Sequence, residues 1–283
     1  MKKFREGFMQ VLFMLSALVS IIAVALICIF LFANGVPAIR EIGLADFLTG
    51  TSWKPEQNIY GILPMIIGSI YVTAGAMLIG VPIGILTALF LVHFCPAGLY
   101  RFLKPAVDLL AGIPSIVYGY FGLTVIVPAI RNGLGGSGSS MLAASVVLGI
   151  MILPTIINVS ESAIRAVPES YYEGSLALGA SHERSVFFTV LPAAKSGVFA
   201  AVILGMGRAV GETMAVIMVA GNQTAMPGGP LQGLRTLTAN IVLEMAYAAD
   251  LHCGALIATA VVLFVFILII NLSFSLLKRR AKL

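Results

Sequence analysis

An all-α bundle of six membrane-spanning helices is the fold class predicted for this 283-residue chain, and three observations lead to it. Hydrophobic residues make up 59% of the sequence and charged ones only 10%, with a mean hydropathy of +1.04. Soluble domains carry about 25% charged residues. Six apolar runs approach or exceed the roughly 20 residues that a helix needs to cross a hydrocarbon core of about 30 Å. Lysine and arginine are sorted by the loops between those runs: twelve lie on the side that holds both termini and four on the other. Cytoplasmic loops carry that excess, so both termini are expected in the cytoplasm, in a multi-pass protein. The net charge of +5 is thereby explained without a nucleic-acid partner, and membrane lipid is the expected surroundings.

Each span has its own signature. Lys2, Lys3 and Arg5 precede an apolar run over 11–33, longer than the roughly 7–15 residues of a signal-peptide core, so a retained first span is expected. Residues 34–60 read as a loop outside the cytoplasm, with Trp53 suited to a membrane interface. A long second run over 61–94 contains Pro64 and Pro82, which suggest tilt or kinking. Gly80 and Gly84, four apart, give another helix a place to approach closely. The third span, 106–130, follows a short basic loop over 95–104. It holds Asp108 near its cytoplasmic start, and Pro114, which should break the helix. A glycine- and serine-rich turn over 131–140 leads to the fourth span, 141–160, expected to bend at Pro154. The fifth span covers 197–221, a long loop 222–252, the sixth span 253–277, and 278–283 a basic cytoplasmic tail. Residues 61–277 thus form a five-helix core. Cys28, Cys95 and Cys253 have no metal-type spacing, and the last two fall on opposite sides, so no disulfide framework is expected.

The stretch that organises the rest runs from Glu169 to Gly221. Its first half, within the cytoplasmic segment 161–196, is polar and helix-like. Small residues at 174, 175, 177, 179 and 180 let a helix lie close against another protein. Gly179 permits a sharp turn, and Pro192 marks entry to the next span. Its second half is apolar but carries Arg208 and Glu212 near the middle. In a continuous helix these two share a face, with Gly207 and Gly211 on the neighbouring stripe for helix packing. A charge at mid-bilayer costs at least about 2.5–3.5 kcal/mol, and such residues face a bundle interior or a path. Two readings of Arg208 and Glu212 stay open: a structural ion pair, or a contact for an anion in transit. Arg before Glu is the weaker order for an intrahelical pair, and a guanidinium fork suits a tetrahedral oxyanion. Ser115, Tyr118 and Thr213 could add neutral hydrogen bonds along the same path, or simply pack.

Glu173, Gly179, Leu191 and Pro192 stand at the spacing of the Glu-Ala-Ala signature of ABC-importer permeases, although Gly174 and Ser175 replace the two alanines and Thr189 the isoleucine. The stretches FLTGTSWKP, YGILP, AGIPSIVYGYFGL, GMGRAVGETMAVIMVAGN and LRTLTANIVLEMAY resemble the PstC-type permease family of bacterial high-affinity phosphate importers. The resemblance runs from about residue 34 to 277 and implies a type I ABC importer permease fold in the bacterial inner membrane. It further implies that Glu173, Gly174, Ser175, Gly179, Leu191 and Pro192 form a helix-turn-helix docked on a cytoplasmic ATPase. A homologous second permease (PstA type), two ATPase copies (PstB type) and an extracytoplasmic phosphate-binding protein (PstS type) are the implied partners, with alternating access as the mechanism.

No Gly-x-x-x-x-Gly-Lys-Ser/Thr loop occurs, so nucleotide binding is expected on another subunit. His93, His182 and His252 are scattered, and neither a metal site nor a cofactor is expected. Rival readings are the companion PstA-type permease, a permease for another oxyanion such as molybdate, an ion-coupled secondary carrier and, least favoured for want of a nucleophile–base cluster, an intramembrane enzyme.

Overall fold

The computed structural model describes residues 2–280, so positions 281–283 of the basic tail lie outside the described residues. Among the described residues four helices are long and apolar enough to cross a membrane, and the number is six when each of two bent helix pairs is taken as one span. The end of the bundle that carries residues 95–104 and 161–196 is called proximal below, and the opposite end distal.

Helix α1, Lys2–Ile42, is one helix through Pro37. It therefore runs well beyond the expected end of the first span, and only its distal part packs, on α14, Asp250–Arg280. The segment expected to be a loop after it contains α2, Leu44–Thr49, and a hairpin of β1, Trp53–Lys54, with β2, Ile59–Tyr60. Phe47, Trp53, Tyr60, Ile62 and Met65 are buried together with Leu237 and Leu256, making a distal cap. Trp53 is thus a core residue and not the interface anchor expected of it.

Helix α3, Leu63–Leu89, continues through Pro82 and closes with a wide π turn at Phe90–Phe94. Its main partner is α7, Met141–Arg165, which also runs unbroken through Pro154 as a single helix. Glycine makes the contact possible: a Cβ on Gly80 would lie 2.7 Å from Ile152, and one on Gly84 2.7 Å from Ile156. The end of the fifth span and the loop after it satisfy the amides that open α7. Ser140 N donates to Val219 O, Met141 N to Gln232 O and Leu142 N to Pro230 O, which removes orphan donors a bilayer would penalise.

The third span departs from expectation. The expected loop over 95–104 and the expected start of the span at 106 instead form one helix, α4, Ala97–Gly112, turned 99° at Ile113–Pro114. The crossing begins only at α5, Ser115–Phe121, and ends with α6, Val127–Leu134, after a second π turn. Pro114 fits the corner, because it has no amide to donate and disfavours helical geometry at the residue before it, and Ile113 is extended there (φ −70°, ψ 128°).

The proximal segment folds as α8, Glu169–Ala177, a turn at Gly179 (φ +85°), then α9, His182–Ser185, a π turn and α10, Leu191–Ala193. A 71° bend leads into α11, Lys195–Gly211, followed by a break and α12, Met214–Val219. The distal loop folds back as α13, Leu237–Glu244, whose residues Leu237 to Asn240 are buried.

Filling the α3–α7 seam should loosen the bundle. Gly84→Leu forces a side chain into Ile156 and should cost about 1–3 kcal/mol. It should lower the thermal midpoint of the detergent-purified chain by several degrees, whereas Gly98→Leu, where a Cβ meets nothing within 4 Å, should leave the midpoint in place.

Candidate functional site

The third and fifth spans meet just beyond their breaks, through α5 and α12. The Cβ of a residue replacing Gly119 in α5 would lie 2.8 Å from Met218 and 2.9 Å from Ala215 of α12, so only glycine allows this approach. Gly122 is similarly closed in by Val147 and Val219. Tyr118 donates its phenol proton to the carbonyl of Leu110 at 2.7 Å, bridging the corner between α4 and α5. That hydroxyl therefore braces the corner. Ser115 opens α5 directly after it.

In the fifth span the chain leaves helical geometry at Glu212 (φ −70°, ψ 133°) and Thr213 (φ −122°, ψ −58°). Arg208 and Glu212 consequently do not share a helical face, and they form no ion pair. This corrects the expected charge pair. The physical reason is local: the Glu212 carboxylate turns onto the following helix and accepts the amide of Ala215 at 3.0 Å, capping a donor that the break would otherwise leave unpaired. The Glu212 carbonyl accepts from Thr238 Oγ1 at 3.0 Å, and Thr213 Oγ1 bonds the Gly211 carbonyl at 3.3 Å.

Arg208, on the last turn of α11, donates Nη1 to Thr155 Oγ1 of α7 at 3.4 Å and has no ion-pair partner among the described residues. A guanidinium carries five N–H donors, so most of its capacity is open. Gly207 and Gly211 do not pack within this chain, since a Cβ on either would meet nothing within 4 Å. The expected packing stripe is an open face beside Arg208.

Two buried carboxylates were not singled out by sequence. At the proximal end Glu161 accepts from Tyr100 Oη at 2.8 Å and Arg165 Nε at 3.0 Å, with Lys104 Nζ 3.1 Å from its other oxygen. Asp108 joins this cluster through Lys104 and Asn158, tying α4 to α7 and giving it a definite place. The Glu161–Arg165 spacing, acid four residues before base, was a legible signal. At the distal end Glu244 accepts from Trp53 Nε1 at 2.8 Å and from Arg235, with His252 Nε2 at 2.9 Å. Nothing in sequence spacing links those four residues. A pocket of about 640 Å³ opens beside them, lined in part by Glu56, Tyr60, Tyr247 and Asp250.

The proximal helical hairpin is held from inside by small hydroxyls. Ser185 Oγ bonds Ser175 Oγ at 3.0 Å, and Thr189 Oγ1 reaches the same atom at 3.3 Å. Tyr172 Oη lies 2.6 Å from His182 Nδ1, and Val186 and Val190 anchor the hairpin on Ala88, Leu89 and Ile164. Its outer face is apolar and uncovered: Leu178 is 91% and Phe188 77% exposed, with Tyr171 and Leu176 beside them. Glu173 and Gly174 are on this open surface, Gly179 forms the turn, and Leu191 and Pro192 start α10.

Broken helices meeting inside a bundle, a guanidinium without a counter-ion and an uncovered helical foot at one end define a membrane transport subunit. The chain belongs to the family of binding-protein-dependent transport system inner membrane components, whose family model matches residues 80–283. As such it is a transport subunit and not an enzyme; the family works with a separate ATPase and a binding protein. A probable ABC transporter permease protein, YqgH, from Bacillus subtilis is 42% identical over 82% of this chain and 76% of its own length. The phosphate transport system permease protein PstC of Mesorhizobium japonicum is 34% identical, covering 88% of this chain and 83% of its own. PstC of Haemophilus influenzae is 33% identical over 93% and 91%. Among solved structures, a chain of the bacterial alginate ABC transporter superposes with a TM-score of 0.67 at 16% identity, covering 95% of this chain and 94% of that one. A chain of the inward-facing MetNI methionine transporter gives 0.61 at 20% identity, covering 81% and 99%. These likenesses establish the type I importer permease fold.

Glu244 carries a pH dependence. Burial pushes its carboxyl up, but hydrogen bonds from Trp53, Arg235 and His252 outweigh burial and hold it below the ordinary value. A depressed folded-state value stabilises above the unfolded-state pKa, and that stabilisation is lost as pH falls through the folded value. Thermal midpoints of the purified chain should therefore drop as pH falls below the usual carboxylate range. Glu244→Gln should flatten this acid limb and, by leaving Arg235 without its anion, lower the midpoint at neutral pH, with a loss of about 3–5 kcal/mol expected for a broken buried pair.

Proposed function

We propose that this chain is the PstC-type permease of an ATP-driven importer of inorganic phosphate. The observation that carries the reading is Arg208: a half-buried guanidinium at a helix break, with one weak neutral contact and no carboxylate beside it. A planar fork of donors pairs two at a time with the oxygens of a tetrahedral anion. The names of the relatives from Mesorhizobium and Haemophilus supply phosphate as that anion.

In this mechanism the open face of Arg208, Gly207 and Gly211 borders the path, and the two glycines leave room for the anion to approach the guanidinium. Ser115 and Thr213, at the two breaks, offer neutral hydroxyls along the way. Tyr118 acts through the corner it braces. Glu212 neither touches nor shields Arg208. By capping α12 it keeps its own charge from competing with phosphate for the guanidinium. One cation and neutral donors bind an anion loosely enough to release it.

The lysine and arginine bias puts both termini, and with them the α8–α10 hairpin, in the cytoplasm. Glu173, Gly174, Ser175 and Gly179, followed by Leu191 and Pro192, would dock on a PstB-type ATPase present in two copies. A PstA-type permease completes the path, and a PstS-type binding protein delivers phosphate at the distal face. ATP-driven closure of the ATPases shifts the hairpin, and the 71° bend into α11 carries that shift towards the break.

Two experiments test these assignments. In cells lacking the native chain, Arg208→Gln should reduce phosphate uptake at least tenfold at normal membrane levels, with Arg208→Lys recovering part of it. Uptake equal to wild type in Arg208→Gln would remove Arg208 from the path. Leu178→Glu, on the exposed foot, should abolish copurification of the ATPase without changing membrane insertion, whereas full copurification would place the docking surface elsewhere.

A further inference from the structure

The break in the fifth span leaves the Glu212 carbonyl without a helical donor. Inside a membrane such an acceptor needs a partner from the protein or from water in a cavity. That partner is Thr238 of α13, 7% exposed, whose hydroxyl is 3.0 Å away. We propose that Thr238 is a positioning residue of the translocation path: its hydroxyl sets the geometry of the break and makes it follow the distal cap through α13.

Counting protons gives the bond its direction. A threonine hydroxyl has one proton to donate. Thr238 gives its proton to the Glu212 carbonyl, so at the 3.1 Å contact between Thr236 Oγ1 and Thr238 Oγ1 it is Thr236 that donates. The Thr236 oxygen then remains free to accept from the Ala239 amide, which it does at 3.3 Å as the cap of α13. The three groups form a directed chain, from the helix cap through Thr238 to the break, and polarisation along such a chain strengthens each bond.

Both ends of α13 are held. At its start Leu237 N donates to Ser69 Oγ of α3 at 3.0 Å, and the Arg235 carbonyl is so close to Gly68 that a Cβ there would lie 2.5 Å from it. At its end Glu244 is clamped to Trp53 of the hairpin and His252 of α14. Eight helical residues span about 12 Å, so the helix is short and stiff. Displacing the hairpin or the start of α14 therefore moves Thr238, and with it the carbonyl four residues beyond Arg208.

The inference rests on the proposed function in taking the break as part of the path, and the test is chosen to keep the two apart. The complete importer, with its partner permease, ATPase and binding protein, is reconstituted in liposomes. Stimulation of ATP hydrolysis by loaded binding protein and anion uptake per ATP are measured for wild type, Thr238→Val and Thr238→Ser. Phosphate is the probe, and molybdate replaces it if the wild type does not move phosphate. Failure with phosphate would sink the substrate assignment while leaving the coupling readout intact. Thr238→Val should lower uptake per ATP about tenfold, and Thr238→Ser, which restores the hydroxyl, should keep it within about twofold of wild type. Wild-type coupling in Thr238→Val would overturn the proposal. So would equal coupling losses in Thr238→Val and Thr238→Ser, because the hydroxyl at the break would then have no special part.

Discussion

A backbone that unwinds at membrane depth finds no water in the hydrocarbon, so the amides and carbonyls it frees must be paired by the protein or face a hydrated cavity. The organisation of this chain follows from that constraint at one place, Glu212 and Thr213. The Glu212 side chain caps the helix that follows. Its carbonyl goes to Thr238, which requires the distal loop to fold back into the bundle as a short helix. That helix in turn needs anchors, and Ser69 and the Glu244 network provide them. With Glu212 occupied in this way, Arg208 is left without a carboxylate, which is the condition for meeting an anion from outside the chain.

The same logic explains the two ends of the bundle. Each carries one deeply buried carboxylate surrounded by donors from different segments: Glu161 joins α4 to α7, and Glu244 joins the hairpin to α13 and α14. Buried ion pairs add little stability compared with apolar packing but are costly to break. Their place here is where polar chain enters or leaves the membrane and a fixed angle is needed. The glycine seam between α3 and α7 supplies the rigid centre against which both ends and both breaks are set.

Much of this was legible in the sequence, and what was not has a physical cause. Hydropathy and the lysine and arginine bias predict six crossings, Gly80 and Gly84 predict a close helix contact, and Pro114 predicts a corner. The 99° turn there, with α4 as a helix in its own right, was missed because the stretch with Arg101 and Lys104 looks like a short basic loop and the apolar run from 106 looks like the start of the span. The break at Glu212 was missed because no proline announces it. Four-residue spacing implies a shared face only while the helix continues, so Arg208 and Glu212 read as a pair. The Glu244 network was invisible because its members come from segments up to 191 residues apart. Trp53 read as an interface anchor for the same reason: its partner is not local.

The central claim is that the break lies in a water-filled, anion-favouring path governed by Arg208. Thiol accessibility tests it most directly. In the assembled importer with Cys28, Cys95 and Cys253 replaced, Gly211→Cys is exposed to small charged methanethiosulfonates under turnover. Modification faster with the anionic than with the cationic reagent, and slowed by phosphate, is the expected result. A cysteine at 211 that neither reagent reaches from either side of the membrane would contradict the account.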